Sequence, residues 1–255
     1  MEKKPVILAF CGKGGVGKTS LSAICVRLLN EIYPDKKILA IDADPAIGLS
    51  TALGVKASST VDDIRKLFIE TVESGNTDSA MAMLAEAKYQ IYDALVELNN
   101  VSFLAIGRPE GAGCYCKVNA YLKEVIAMLA TNYDYVVIDG EAGIEQVNRR
   151  VMESVTHLIL VSDASKKGLE VTKTISKVAK ELVMADYVGL ILNRLTSEEI
   201  LNKLDIGNLE LLSVILNDEK MVLSDVNGDS VYMLPEDALV IKGMREALRK
   251  LKIVQ

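Results

Sequence analysis

Residues 6–19 read VILAFCGKGGVGKT, and the fold turns on how this stretch is read. The run VILAF (6–10) is apolar without alternation, as in a strand buried on both faces. Gly12, Gly14, Gly15 and Gly17 then interrupt it, and Lys18, Thr19 and Ser20 open a helix-length segment over 18–32. A G-x-x-x-x-G-K-T pattern between a strand and a helix is a phosphate-binding loop. Its glycines let the amides of Gly12, Lys13, Val16 and their neighbours turn toward phosphate oxygens, and the helix N-terminus adds positive potential. Lys18 is predicted to reach the β- and γ-phosphates of a nucleotide, and the Thr19 hydroxyl to ligate Mg²⁺.

Further along, apolar runs alternate with helix-length segments. The runs are KILAID (37–42), VSFLAIG (101–107), YDYVVID (133–139), HLILVSD (157–163), VGLILN (188–193) and LELLSVIL (209–216). Helices are expected over about 61–98, 119–131, 168–185 and 236–252, with a break in the first of these near ESGNTDSA (73–80). This order predicts an α/β fold: one domain over 1–255 with a doubly wound, mostly parallel sheet flanked by helices. Ligands of such sheets bind beyond the carboxyl ends of the strands, where Asp42, Asp139 and Asn193 stand.

Composition narrows the function. The chain has 255 residues and a formal net charge of −6, which gives no basic footprint for nucleic acid. No apolar run is long enough to span a bilayer, so no stable membrane association is expected. Four cysteines are too few for a secreted disulfide scaffold, and a reducing cytoplasm is the expected compartment.

The loop carries a second lysine, Lys13, and KGGVGKT resembles the deviant phosphate loop of the ParA/MinD/nitrogenase-iron-protein class of ATPases. The resemblance implies that Lys13 crosses a homodimer interface to the partner's nucleotide, stabilising the transferring phosphoryl group as an arginine finger does. It also implies roles for DADPA (42–46) and DGEAG (139–143): Asp44 positions the attacking water, Asp42 organises Mg²⁺ waters, Asp139 stands at the magnesium-site position and the Gly143 amide senses the γ-phosphate. LNR (192–194) and LPED (234–237) match adenine-side elements, so Asn193, Arg194 and Pro235 are expected at the base. No N-K-x-D follows, which favours ATP over GTP.

Cys114 and Cys116, in GCYCK, are not explained by the phosphate loop. In extended chain, residues i and i+2 share a side with Cα atoms about 6.6 Å apart, close enough for two thiolates to share one ion. A disulfide across one residue is strained. Two ligands do not complete a site, but a two-fold dimer brings two pairs together as a Cys₄ set. Such a set suits Zn²⁺ if tetrahedral or Ni²⁺ if square-planar. Deviant loop, DADP, Cys-x-Cys and DGEAG together resemble the CooC-type ATPases along essentially the whole chain. That resemblance implies nickel bound by Cys114 and Cys116 at a dimer interface and passed to a nickel client enzyme, carbon monoxide dehydrogenase or acetyl-CoA synthase.

Two other readings compete. A MinD/ParA-type positioning ATPase would leave the cysteines structural or zinc-bound and use the basic, partly amphipathic GMREALRKLKIVQ (243–255) at a surface. A nitrogenase-iron-protein-like reductase would share a cluster between subunits, but DGEAGIEQVNRR (139–150) lacks the second, distant cysteine that family needs. His157, the one histidine, and Cys11 and Cys25 are expected to be structural.

Overall fold

The computed structural model describes residues 4–46, 48–73, 86–107, 116–141, 143–182 and 184–255. In chain order these form β1 (Val6–Cys11), α1 (Lys18–Ile32), β2 (Ile38–Asp42), α2 (Gly48–Leu53), α3 (Val61–Glu73), α4 (described over 86–93), β3 (Val96–Leu98) and β4 (Val101–Ala105). There follow α5 (Cys116–Ala130), β5 (Tyr135–Asp139), α6 (Ile144–Arg150), β6 (Val155–Ser162), α7 (Lys166–Glu181), β7 (Ala185–Leu195), β8 (Glu210–Leu216), α8 (Glu219–Asn227) and α9 (Leu239–Lys250). Among the described residues the strands make one eight-stranded sheet ordered β3-β4-β2-β5-β1-β6-β7-β8.

Continuous apolarity works here as expected, because successive side chains of one strand fill two different cores. Leu8 and Phe10 of β1 enter the layer built with α1, α8 and α9, while Ala9 and Cys11 enter the layer built with α3, α5, α6 and α7. Cys11 and Cys25 are fully buried, and burial pushes the Cys11 thiol up to about 12, so it stays protonated. The apolar side of α9 is committed in the same way: Met244 and Leu248 are fully buried and Leu251, just beyond, nearly so. The basic C-terminal segment therefore has no apolar side left for a membrane surface. Among the described residues no helix is long and apolar enough to cross a bilayer.

The chain departs from the expected helix over 61–98 at its end. After α4 it forms β3, antiparallel to β4, through a two-residue connection at Asn99 and Asn100. Asn99 has φ 56, the left-handed conformation such tight hairpins demand and asparagine tolerates. The break expected near 73–80 falls almost wholly outside the described residues. Helix α8 was also unforeseen, although its signals are present: Asp218 caps the start by accepting from the Lys220 amide at 3.0 Å, and Gly228 ends it at φ 70.

One side chain ties the C-terminal third to α1. Arg27 is 5% exposed; its Nη1 donates to the carbonyls of Val231 (2.8 Å) and Leu234 (2.6 Å), while Nε and Nη2 pair with Glu31 and Glu236. Arg27→Ala strips two buried carbonyls of their donor and leaves a poorly filled space. A loss of about 3 kcal/mol is expected, read as a lower urea midpoint with unchanged slope.

The topology also fixes where a ligand belongs. From central β1 the chain crosses over β5 to reach β2, whereas from β5 it crosses over β1 to reach β6. The switch point, and with it the crevice, lies at the carboxyl ends of β1 and β5.

Candidate active site

The phosphate loop fills that switch point. Gly12 has φ 153, and a Cβ there would lie 2.1 Å from the Val161 carbonyl oxygen, so the loop can leave β1 pressed on β6 only as glycine. Gly17 has φ 91, and its Cβ would meet Asn193 Nδ2 at 2.6 Å. Between them the loop folds inward until Lys18 Nζ reaches the Lys13 carbonyl at 3.4 Å, with Lys18 only 8% exposed. A buried ammonium folded onto a glycine-rich loop ahead of a helix N-terminus is an arrangement for polyphosphate.

Beside it stand two carboxylates from neighbouring strands. Asp42 and Asp139 are ladder partners in the β2–β5 pairing, and both are fully buried. Asp42 accepts from the amides of Asp44 (3.1 Å) and Leu49 (2.8 Å), which folds DADPA over the strand end and starts α2. Asp44 Oδ1 in turn accepts from the Ala46 amide at 2.9 Å, and Gly48 approaches Thr19 closely. Asp139 Oδ1 accepts from the Ser22 hydroxyl at 3.1 Å, Thr19 helps to stabilise the charged form of this carboxylate, and Oδ2 is buried without a partner.

Burial, reinforced by Asp139, pushes Asp42 up to about 7 despite the two amides. Burial likewise pushes Asp139 up to about 6, against the pull of Thr19, Ser22 and Lys18. An orphaned carboxylate oxygen beside a threonine hydroxyl, in a pair of carboxylates held above their usual range, fits a hard divalent cation with oxygen ligands such as Mg²⁺. A cation there favours the ionised forms, so protons leave as it binds. Calorimetry of Mg²⁺–ADP binding at pH 6.5, in two buffers of different ionisation enthalpy, is expected to show net proton release that fades by about pH 8.5. Equal apparent enthalpies in both buffers at pH 6.5 contradict it.

On the loop's other side, Asn193 Nδ2 donates to the Val16 carbonyl (2.9 Å) and Arg194 Nη1 to the Gly15 carbonyl (2.8 Å). Both residues line a cleft with Gly17 and Ser20; one N–H of the Asn193 amide is engaged by the loop, and its buried Oδ1 lacks a partner. Pro235 does not line this cleft: it is exposed, next to the Leu234 carbonyl that Arg27 holds. The wall opposite the loop is instead formed by Leu216 at the end of β8, Asn217 and Asp218, with Met221 and Val222 of α8. These residues were missed, although they follow the carboxyl end of a strand and could have been sought there.

Lys13 points elsewhere in the single chain. Its Nζ lies 3.2 Å from Asp163 Oδ2 and 3.4 Å from Ser165 Oγ, at the junction of β6 and α7. Burial raises Asp163, but hydrogen bonds from Ser165 and Lys13 outweigh it and hold the carboxyl below its usual range. Gly143 precedes α6 in extended conformation, with the Glu145 carboxylate folded back toward it.

The cysteines divide. Cys116 is the first residue of α5, whereas Cys114 lies outside the described residues. Among the described residues no group of three or more His, Cys, Asp or Glu side chains is placed to hold a metal ion. His157, at the opposite end of β6 from the loop, contacts Thr156 Oγ1 through Nδ1 and lies tilted against Tyr187.

Comparison with known proteins agrees with this geometry. A family model described as AAA domain matches residues 4–185. An uncharacterized ATP-binding protein of Methanocaldococcus jannaschii is 36% identical over 251 residues, covering 96% of this chain and 98% of that one. The carbon monoxide dehydrogenase accessory protein CooC of Rhodospirillum rubrum is 28% identical over 218 residues, covering 77% and 82%. Among solved structures, the septum site-determining protein MinD of Pyrococcus horikoshii, complexed with Mg-ADP, superposes with TM-score 0.70 at 23% identity, over 97% and 96% of the two chains. A strand–loop–helix that cradles phosphate, two carboxylates at adjacent strand ends and these likenesses converge: the chain belongs to the AAA domain family, as a P-loop ATPase with the fold of MinD and ParA proteins.

Proposed function

We propose that this ATPase is a nickel chaperone: a homodimer in which Cys114 and Cys116 of each copy together bind one Ni²⁺, released to a nickel client such as carbon monoxide dehydrogenase or acetyl-CoA synthase. The observation that carries the reading is how the Cys-x-Cys segment is anchored. The chain leaves β4 with the Ile106 amide bonded to the Asp42 carbonyl (2.8 Å), and the Ile106 carbonyl accepts from the Asp62 amide at the start of α3. It resumes at Cys116 as α5, which packs on α3 and on α6, the helix that follows Gly143. Both described ends of the segment that holds the cysteine pair thus lie beside elements that lead to the proposed nucleotide site. Similarity to the CooC accessory protein supports the same reading.

In the proposed cycle the loop amides and Lys18 hold the phosphates of ATP, while Asn193 and Arg194 brace the loop and flank the base. Mg²⁺, when bound, neutralises charge on the β- and γ-phosphates; Thr19 and Asp139 would hold it, with Asp42 ordering its waters. Asp44 orients the attacking water, and the Gly143 amide responds to the γ-phosphate. Lys13 must leave Asp163 and Ser165 to act on the partner's nucleotide. ATP thereby favours the closed dimer, in which two Cys-x-Cys pairs meet, and hydrolysis opens it and frees the metal.

The test is to equilibrate the full chain with Ni²⁺ or Zn²⁺, with and without ATP, and to measure bound metal and mass together. Half an ion per chain, confined to the dimer, is expected, followed by activation of a nickel-free client. One ion per monomer, or none, defeats the proposal. A metal-free dimer that instead assembles on DNA or vesicles would point to a positioning ATPase of the MinD type.

A further inference from the structure

Ser22 appears in no part of the loop motif, yet it is fully buried between the loop helix and the carboxylate pair. It lies one turn beyond Lys18 in α1, so its hydroxyl reaches back to the Lys18 carbonyl at 2.9 Å and across to Asp139 Oδ1 at 3.1 Å. Thr19, on the same face of the first turn, helps to stabilise the charged form of Asp139. The opposite oxygen, Asp139 Oδ2, is buried and has no partner. A fully buried carboxylate with one oxygen pinned and the other bare is a group waiting for a ligand, because an unsatisfied buried acceptor is costly.

A carboxylate can rotate about its last bond and so tilt its plane away from a ligand. A hydrogen bond to one oxygen from a residue fixed in a helix removes that freedom. We propose that Ser22 is a positioning residue for magnesium: by holding one oxygen it fixes the plane of the carboxylate and keeps the other, Oδ2, free for the ion beside Thr19. Because the same hydroxyl also reaches the Lys18 carbonyl, Ser22 ties the magnesium carboxylate to the backbone of the lysine that binds phosphate. The two ligands of one nucleotide complex are thereby held in a common frame. This rests on the assignment of Asp139 to magnesium made above.

The experiment measures ADP affinity of the full chain in EDTA and across a Mg²⁺ series, for the wild type, Ser22→Ala, Ser22→Thr and Asp139→Asn. Ser22→Ala should need about tenfold more Mg²⁺ for half its gain in affinity, since it loses one hydrogen bond to a charged group. Its affinity in EDTA should stay within twofold of the wild type, and Ser22→Thr, which keeps the hydroxyl, should recover the magnesium midpoint. Alanine is a good helix former, so the helix is not weakened by the change. If Ser22→Ala titrates like the wild type while Asp139→Asn does not, Ser22 has no such role and the assignment of Asp139 survives. If Asp139→Asn also titrates like the wild type, that assignment fails and takes this inference with it. A loss of affinity for Ser22→Ala that is as large in EDTA as in Mg²⁺ shows loop packing only and overturns the proposal.

Discussion

Cys114→Ala/Cys116→Ala is expected to abolish binding of Ni²⁺ and Zn²⁺ and every metal-linked change in mass, while ATP affinity stays within about twofold. The loss is total because a shared Cys₄ site loses all four thiolates at once, where a single substitution leaves two. Cys114→Ala or Cys116→Ala alone should therefore retain weak binding with a stoichiometry still tied to the dimer. Thiolates must lose protons to bind, so wild-type affinity should also fall as the pH is lowered below about 7. Equilibrium dialysis with metal analysis reads all three. Half an ion per chain in the double variant would place the site elsewhere and end the nickel reading.

How far the sequence reaches can be judged residue by residue. The phosphate loop was legible because its constraint is local: glycines between an apolar strand and a helix have few other uses. Asp42 and Asp139 were legible too, since each ends a buried strand where a parallel sheet binds its ligands. The surroundings of Pro235 were not legible, because LPED has no local signal of its own. Its position is decided by Arg27, some 200 residues away in sequence, which draws the carbonyls of Val231 and Leu234 onto α1. Arg27 is nine residues beyond Lys18, roughly 13 Å along the helix axis and so well removed from the loop. The cleft wall at Leu216–Asp218 depends likewise on β8 pairing with β7, a contact no short pattern reports. Asn193 was expected to offer donor and acceptor to a base, and only a three-dimensional neighbour, the Val16 carbonyl, reveals that one of its two N–H donors is engaged by the loop. Lys13 is the same kind of case: its motif implies a partner's nucleotide, while the single chain folds it onto Asp163.

That contact frames the second large effect. The Lys13–Asp163 pair is about one-third exposed on each side, and such pairs are worth no more than about 1 kcal/mol. Breaking it is therefore cheap, and a dimer that offers Lys13 a polyphosphate outcompetes it readily. Lys13→Ala is expected to lower ATP turnover by about 10³-fold, the lower end of what a cation supplied in trans contributes to phosphoryl transfer, with ATP affinity changed less than about threefold. Loss of turnover alone does not tell a trans lysine from one acting within its own loop, but mixing does. Lys18→Ala lacks the ammonium that binds phosphate yet keeps Lys13, so a heterodimer with Lys13→Ala has one site with both its own Lys18 and its partner's Lys13. Two inactive preparations should then regain, on mixing, up to about half the wild-type rate per heterodimer, because one of its two sites is intact. If the mixture stays inactive although mass measurements show the heterodimer, Lys13 works in cis. If Lys13→Ala turns over at the wild-type rate, the lysine has no part in the chemistry and its contact with Asp163 and Ser165 is its resting place.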